Sequence, residues 1–515
     1  MYDHPTYPTL GHIYPGDYVD PSLWQEFIDP RQSLPEGAVF DIRDYGARAE
    51  KDLLNTGAIR ACCADCARHG GGTVLVAGGE YTTGTVALPS GCTLFIAPDS
   101  ALVASRDVRQ LMTAISDVPD DRKGESHEGA LLLIDHAEHV TVTGGGRILG
   151  SGEWYVCEPR EKPALSPFPV TMLPRRDQKD EINTVPGSVR TFYRDRIRYS
   201  EDKYGEGKPN LLRPSALMWV RHSRQVSFHN IILQDAMSWT LHMECCEDVT
   251  IRDLVIHDNR HVANADGIDI GSSARVTVEH CFISCADDGL VLKNPLPAGR
   301  TMEDITLRDC TVMTVMNAFK IGTETGGDIR RVRVEHCRFL LPDIYPGSVS
   351  GISIESCDGS HVSDVTLEDI RMRGVLCPLY ICLNRRNRYR VPMTDPHFWG
   401  GSIENITVSD VRAEDCELPC IITGYRSALP GEPVTRRPVR RITLRDFHMR
   451  YRDNEERVQV PETIDELLFD YPESNAHGDV PACGLYARHT EDLRLENFTV
   501  IPRSCNTRQD VVVVE

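Results

Sequence analysis

Three aspartates pose the chemical question in this sequence. Asp266 lies in Asn264-Ala265-Asp266-Gly267, and Asp287 and Asp288 stand side by side in Ala286-Asp287-Asp288-Gly289. Asp-Gly steps favour turns because both residues accept backbone conformations that others avoid. Between the two groups, Val276, Val278 and Phe282 follow the alternation of a half-buried strand. Both acidic groups therefore sit at strand-to-turn junctions, and if successive strands stack in parallel, equivalent turns superimpose at about 4.7–4.9 Å. Carboxylates that close raise one another's proton affinity, so one stays protonated near neutrality while another stays ionised. That division is what acid and base catalysis on a glycosidic bond requires. The plainer reading of the same residues is a set of Asp-Gly turns capping stacked strands.

A repeat must position them. QVSFHNIILQ from Gln225 is followed by DVTIRDLVIH from Asp248, RVTVEHCFIS from Arg275, DITLRDCTVM from Asp304 and RVRVEHCRFL from Arg331. Further units start at Asp364, Asn405, Arg441 and Asp492. The first apolar positions, Val226, Val249, Val276, Ile305 and Val332, are about 23 to 29 residues apart, inside the solenoid range. Each unit reads as two apolar alternations split by a polar turn. Stacked, such units bury one core that none could bury alone, and parallel crossovers are overwhelmingly right-handed. The expected fold is all-β, a single-stranded right-handed parallel β-helix. The Leu and Asn signature of a leucine-rich horseshoe is missing, as are the units of about 40 residues that a propeller needs.

Residues 1–38, rich in Pro, Tyr and Asp, read as an arm wrapping the body, and residues 39–515 as one catalytic β-helix domain. A helix is expected from the N-cap Asn55 to His69, stopped by Gly70-Gly71-Gly72. It would cover the open end of the first coil, where core and strand edge are otherwise exposed. An insertion at about 153–210 and a second one between the units at Arg441 and Asp492 break the repeat. Such loops would wall off a cleft and leave a pocket, which favours release of terminal sugars over cutting inside a polymer.

Composition narrows the partners. With 76 acidic against 56 basic residues the chain carries −20, which argues against nucleic acid and anionic membrane surfaces and disfavours a long pectate polymer. No apolar run approaches the roughly 20 residues of a membrane span, and the N-terminus lacks the pattern of a signal peptide. A soluble, cytoplasmic protein is expected. Its 18 cysteines then suit a reducing compartment, with Cys281, Cys310 and Cys337 as small core residues. Cys63 and Cys66, with Cys62 beside them, have no second pair at zinc spacing, so neither a metal nor another cofactor is expected. The oligomeric state stays open, a homo-oligomer included.

Asn264-Ala265-Asp266 and Asp287-Asp288, in this setting of short strands, resemble the first two motifs of glycoside hydrolase family 28, the polygalacturonases. The resemblance implies a right-handed β-helix that hydrolyses with inversion. It makes Asp287 the general acid, with Asp266 and Asp288 holding and activating the water. Ser238-Trp239-Thr240-Leu241-His242 resembles a Trp-Thr-x-His stretch of bacterial relatives, in which Trp239 would stack on a sugar and His242 bind its hydroxyls; the plainer reading is a core Trp with a satisfied His. Where the family has Gly-His-Gly, this chain reads Met316-Asn317-Ala318, with Asn317 or Met316 in place of the His. Where the family has Arg-Ile-Lys, it has Ser353 and Glu355. A glutamate there would repel a uronate. Either the terminal sugar is neutral, such as rhamnose, or another cation among Lys293, Lys320, Arg213 and Arg488 grips the acid. Glu324, beside Gly322-Thr323, could accept from sugar hydroxyls, and Tyr471-Pro472-Glu473 with Tyr486, Arg488 and His489 could reach back over the pocket.

The sequence thus reads as an inverting, metal-independent glycosidase that is exo-acting on terminal α-linked sugars of plant-derived, pectin-related oligosaccharides or glycosides. Two other readings remain on the same scaffold. A polysaccharide lyase would use Ca²⁺ and an Arg or Lys base. A non-catalytic carbohydrate-binding β-helix would serve attachment.

Overall fold

A computed structural model of the chain describes residues 21–107, 110–111, 129–152, 214–259, 262, 264–295, 300–341, 348–386, 400–428, 433–452, 460–461, 464–502 and 507–515. It is nearly all strand, in two long parallel sheets, and the fold is a right-handed parallel β-helix. Packing divides the chain into two units. One comprises the described residues up to Asp269 together with Val276–Asp287, the other Ile270–Arg275 together with Asp288–Glu515.

In the first unit, one sheet climbs through Val39–Asp41, Gly72–Val76, Cys92–Ile96, Glu138–Thr143, Arg224–Gln234 and Glu247–His257, each pairing in parallel with the next. Its companion climbs through Val86–Ala87, Ala130–Asp135, Ala216–Arg221 and Trp239–Glu244. In the second unit the first kind of sheet continues from Met302–Arg308 through Ile329–Leu340, His361–Arg373, Ser402–Cys416 and Val439–Tyr451 to Thr490–Ile501. The other kind runs from Leu290–Asn294 through Asn317–Thr325, Ser348–Ser356, Val375–Leu383, Cys420–Thr423 and Ala482–Arg488 to Gln509–Val514.

The repeat found in the sequence is the register of these ladders. Val332 pairs with Val365, Val365 with Ile406, Ile406 with Ile442 and Ile442 with Leu493. Their neighbours two residues on, Val334, Leu367, Val408 and Leu444, are fully buried. One expectation needs correcting, because in most units the polar residue does not split the strand in two; the unit at Asp304 is split, into Met302–Arg308 and Thr311–Met313 around Asp309 at φ 55°. Ile329–Leu340 and His361–Arg373 run through, with Arg331, His336, Asp364 and Asp369 at φ between 54° and 56°. Paired strands skip the same positions, Arg331 beside Asp364 and His336 beside Asp369, so the register survives each local kink. Asn, Asp and His adopt this left-handed conformation more readily than other side-chain-bearing residues, which is why they recur inside the units.

The helix is Thr56–Arg68, and its buried face, Ile59, Cys62, Cys63 and Cys66, packs on the first strands. Asn55 precedes it but does not cap it through its side chain. Its amide instead accepts from Arg48 N and donates to the carbonyls of Arg48 and Leu53, fixing the loop before the helix. Of the expected arm, residues 21–38 are described. Phe27 stacks on His280 at 4.8 Å, and the amide of Asn230 exchanges two hydrogen bonds with the backbone of Asp29. Residues 1–20 and the insertion at 153–210 lie outside the described residues. Among the described residues no cysteine forms a disulfide, and burial first, with neighbouring thiols second, pushes Cys62 and Cys63 up to about 12. No helix among the described residues is long and apolar enough to cross a membrane.

Inward and outward positions of one strand should differ sharply in their tolerance. Leu367→Ala, at a fully buried ladder position, should cost about 2–5 kcal/mol, whereas Glu368→Ala, exposed next to it, should stay within about 0.5 kcal/mol. Denaturant melts of the two variants check this, and equal losses would refute the register.

Candidate active site

The acidic turns predicted from sequence do come together. In the first unit, the carbonyl of Ala265 accepts from the backbone N–H groups of both Ala286 and Asp287, at 3.0 and 3.1 Å. Val262, Ala265 and Ala286 form a small apolar cluster behind the two turns. Asn264 takes φ 56°, which turns the chain towards Asp266, and the backbone N–H of Thr240 donates to the Asp266 carbonyl at 3.0 Å. Within this unit, one carboxylate oxygen of Asp266 lies within 4.8 Å of one of Asp287. Oxygens this close could also share a hard cation. Asp266 and Asp288 are buried, and Asp287 is half-buried.

Within the second unit, Asp288 belongs to a buried network. Its Oδ1 accepts from the backbone N–H of Asn317 at 3.1 Å and from Asn317 Nδ2 at 2.7 Å. Its Oδ2 lies 3.3 Å from Lys320 Nζ. The Lys320 ammonium also meets Glu473 Oε1 at 2.9 Å and Glu355 Oε1 at 3.7 Å. Lys320, Glu355 and Glu473 are all fully buried. Asn317 Nδ2 makes a second contact to Glu473 Oε2 at 3.2 Å, and Ser353 Oγ donates to Glu355 Oε1 at 2.7 Å.

The strands dictate this arrangement. Lys320 and Ser353 are register partners on neighbouring strands, and Glu355 lies two residues beyond Ser353 on the same face. Gly322 makes the approach of Glu355 feasible, since at φ 133° a Cβ there would lie 2.7 Å from Glu355 Oε2.

Residues 198–417 match the glycosyl hydrolases family 28. Over that stretch, which holds both acidic turns, the chain is similar to the family. It is 22% identical over 421 residues to a "Probable polygalacturonase" of Vitis vinifera, covering 78% of this chain and 73% of that one. Two solved structures share the fold. The family 28 exopolygalacturonase of Yersinia enterocolitica gives a TM-score of 0.63 at 15% identity, over 93% of this chain and 77% of that one. The exopolygalacturonase of Thermotoga maritima gives 0.60 at 18% identity, over 84% and 91%.

The other predicted site residues fare unequally. Trp239 is half-buried and its ring lies 4.5 Å from that of His242, which is buried and also faces Trp219 at 5.9 Å. The outcome for His242 is a packed core position with Glu244 Oε1 at 3.5 Å. Lys293 is half-buried. Glu324 is half-buried with Arg386 Nη1 at 3.7 Å. Arg213 lies outside the described residues.

Several expectations are corrected by burial. Lys320 cannot grip a substrate acid as a spare cation, because three carboxylates already surround it. Glu355 does not stand open to substrate but lies behind Lys320. Tyr486 packs among Tyr380, Ile421 and Val480, and Arg488 donates to the carbonyls of Ile464 and Asp465. Both hold residues 464–480 in place.

Sequence reasoning named Glu473 only as part of a late cluster. Its partner Lys320 is 153 residues away, and nothing local signals the contact. Asp258 was missed altogether. It is fully buried, accepts from Ala236 N at 2.8 Å and from Thr240 Oγ1 at 2.5 Å, and so fixes the strand whose backbone holds Asp266. Burial pushes Asp258 up to about 7 against those two hydrogen bonds.

Charge in the network follows from the same geometry. Burial disfavours the Lys320 ammonium, but Asp288, Glu355 and Glu473 outweigh it and hold lysine well above its ordinary value. Burial pushes Glu355 up to about 8, the Lys320 charge opposing and Glu473 reinforcing the rise. Burial likewise raises Glu473. The raised Glu355 value means that folding favours its protonated form. Its contribution is fully present below about pH 4.5, where the unfolded chain also holds the proton, and is lost as pH rises through about 8. Thermal melts should therefore show wild type losing stability between pH 5 and 9 by more than Glu355→Gln does. Parallel curves would show that Glu355 does not hold that proton.

Proposed function

We propose that this glycosidase is inverting and exo-acting, and that it releases an uncharged terminal sugar, such as rhamnose, from pectin-related oligosaccharides or glycosides. The engagement of Lys320 carries the reading. A substrate carboxylate approaching that ammonium would compete with Asp288, Glu355 and Glu473 for it and add a further negative charge to a buried place. A neutral sugar brings only hydroxyls and avoids that cost.

The roles of the aspartates follow from what each can donate. Asp288 accepts two hydrogen bonds on Oδ1 and faces an ammonium on Oδ2, so neither oxygen is disposed to give up a proton. Asp287, half-buried at the same turn, is the acid. It protonates the leaving oxygen as the glycosidic C–O bond breaks. A water held by Asp266 and Asp288 loses a proton to them as its oxygen bonds to the anomeric carbon from the opposite face, giving a hemiacetal of inverted configuration.

The nearest oxygens of Asp266 and Asp287 are closer than the roughly 6.5–9.5 Å between the carboxyl groups of most inverting enzymes, so the anomer of the first product is the deciding measurement. Exo action is supported by residues 464–480, which lie over one sheet face, and by the exo-acting names of the two similar structures. Free thiols suit a cytoplasmic enzyme.

Product analysis by mass should show single-sugar release from rhamnosyl oligosaccharides and little from galacturonosyl ones. Efficient cleavage of polygalacturonate would refute the neutral-sugar reading. Asp287→Asn should lower kcat by about 10³-fold with the melting temperature unchanged, and nuclear magnetic resonance should find the inverted anomer first. A chelator should leave the rate as it was.

A further inference from the structure

Two residues before Glu473, the same segment places Tyr471 with half of its surface exposed. Single exposed aromatics are common on protein surfaces and mean little alone. Tyr471 differs in what fixes it and in where it stands. Lys320 Nζ lies 5.4 Å from its ring centroid, and the guanidinium of Arg386 lies 5.6 Å from it. Neither cation is loose. Arg386 donates to the Thr323 carbonyl at 3.0 Å and to both oxygens of Asp358, while Lys320 is the centre of the carboxylate network.

The backbone on either side is tied down as well. Asn384 Nδ2 donates to the carbonyls of Leu467 and Asp470, the backbone N–H of Arg385 donates to Leu468, and Ser474 Oγ donates to the Val349 carbonyl. Glu473 adds the buried ion pair to Lys320. An exposed ring held this firmly has given up its mobility before any ligand arrives, so a contact with it costs little further ordering. Its position is informative too, because Lys320 Nζ, 5.4 Å from the ring, is 3.3 Å from Asp288 Oδ2. Ring and carboxylate border the same small volume, and Glu324 stands beside Arg386 with its oxygen 3.7 Å away.

We propose that Tyr471 is a substrate-binding residue on which the apolar face of a substrate pyranose stacks next to Asp288. The C–H face of a pyranose is apolar and carries slight positive charge. It complements the negative face of an aromatic ring as cations do, while the sugar hydroxyls at its rim remain free for groups such as Glu324. Phe469, equally exposed two residues earlier, has Arg385 at 5.8 Å but no link to Lys320, so it supplies the control.

This inference rests on the glycosidase reading but not on the identity of the sugar. Steady-state hydrolysis is therefore measured with whichever of the rhamnosyl and galacturonosyl oligosaccharides the wild-type chain cleaves, for wild type, Tyr471→Ala, Tyr471→Phe and Phe469→Ala. Stacking predicts that Tyr471→Ala raises KM about tenfold with kcat within about twofold, and that Tyr471→Phe restores KM to within about twofold of wild type. Phe469→Ala should leave KM unchanged. An unchanged KM in Tyr471→Ala would overturn the proposal. So would a Tyr471→Phe as weak as Tyr471→Ala, or a Phe469→Ala as weak as either, since those outcomes would assign the effect to the hydroxyl or to loosening of the segment. A preference for galacturonosyl substrate would sink the neutral-sugar reading and leave this comparison readable.

Discussion

Lys320 carries its ammonium to a place that water does not reach, and everything around it answers that charge. An unpaired ammonium there would be expensive, and three carboxylates converge on it. Three negative charges on one positive charge overcompensate, which is why burial pushes Glu355 and Glu473 towards their protonated forms. The network orients Asp288 through Asn317 and Lys320, and it draws residues 464–480 down through Glu473. Through Gly322 it also requires that one backbone position carry no side chain. The orientation of Asp288 and the placing of residues 464–480 thus depend on one buried cation.

The β-helix supplies what such a network needs, which is strict register. In a parallel ladder an outward position on one strand lies beside the matching position on the next, so Lys320 and Ser353 meet without any loop having to bring them together. A slip of one residue would turn every such side chain into the core. Matched left-handed residues in adjacent strands, such as Arg331 with Asp364, let the chain kink at each coil without that slip.

Likeness to the family and departure from its pattern point in different directions here. The acidic turns and the stacked scaffold connect this chain to enzymes that cleave glycosidic bonds. Two expected cations are replaced by Ser353 and Glu355, and a lysine stands at Lys320 on the neighbouring strand. Fold alone would not reveal this, because the same scaffold supports several activities. The chemistry of the individual side chains does.

Much of the protein was legible from the residues in order. Alternation at each unit signalled the strands, the spacing of units signalled the solenoid, and Asp-Gly turns at matching places signalled the meeting of Asp266 with Asp287. All of these are local or periodic, and period is what a one-dimensional pattern can carry. Tertiary structure alone decided that Lys320 is saturated, that Arg488 and Tyr486 serve a covering segment, and that Asp258 holds Thr240. Lys320 and Glu473 meet across 153 residues, and no repeat relates them. A charged residue in sequence does not show whether it will face water or three carboxylates. Only burial decides that, and burial is a property of the packed chain.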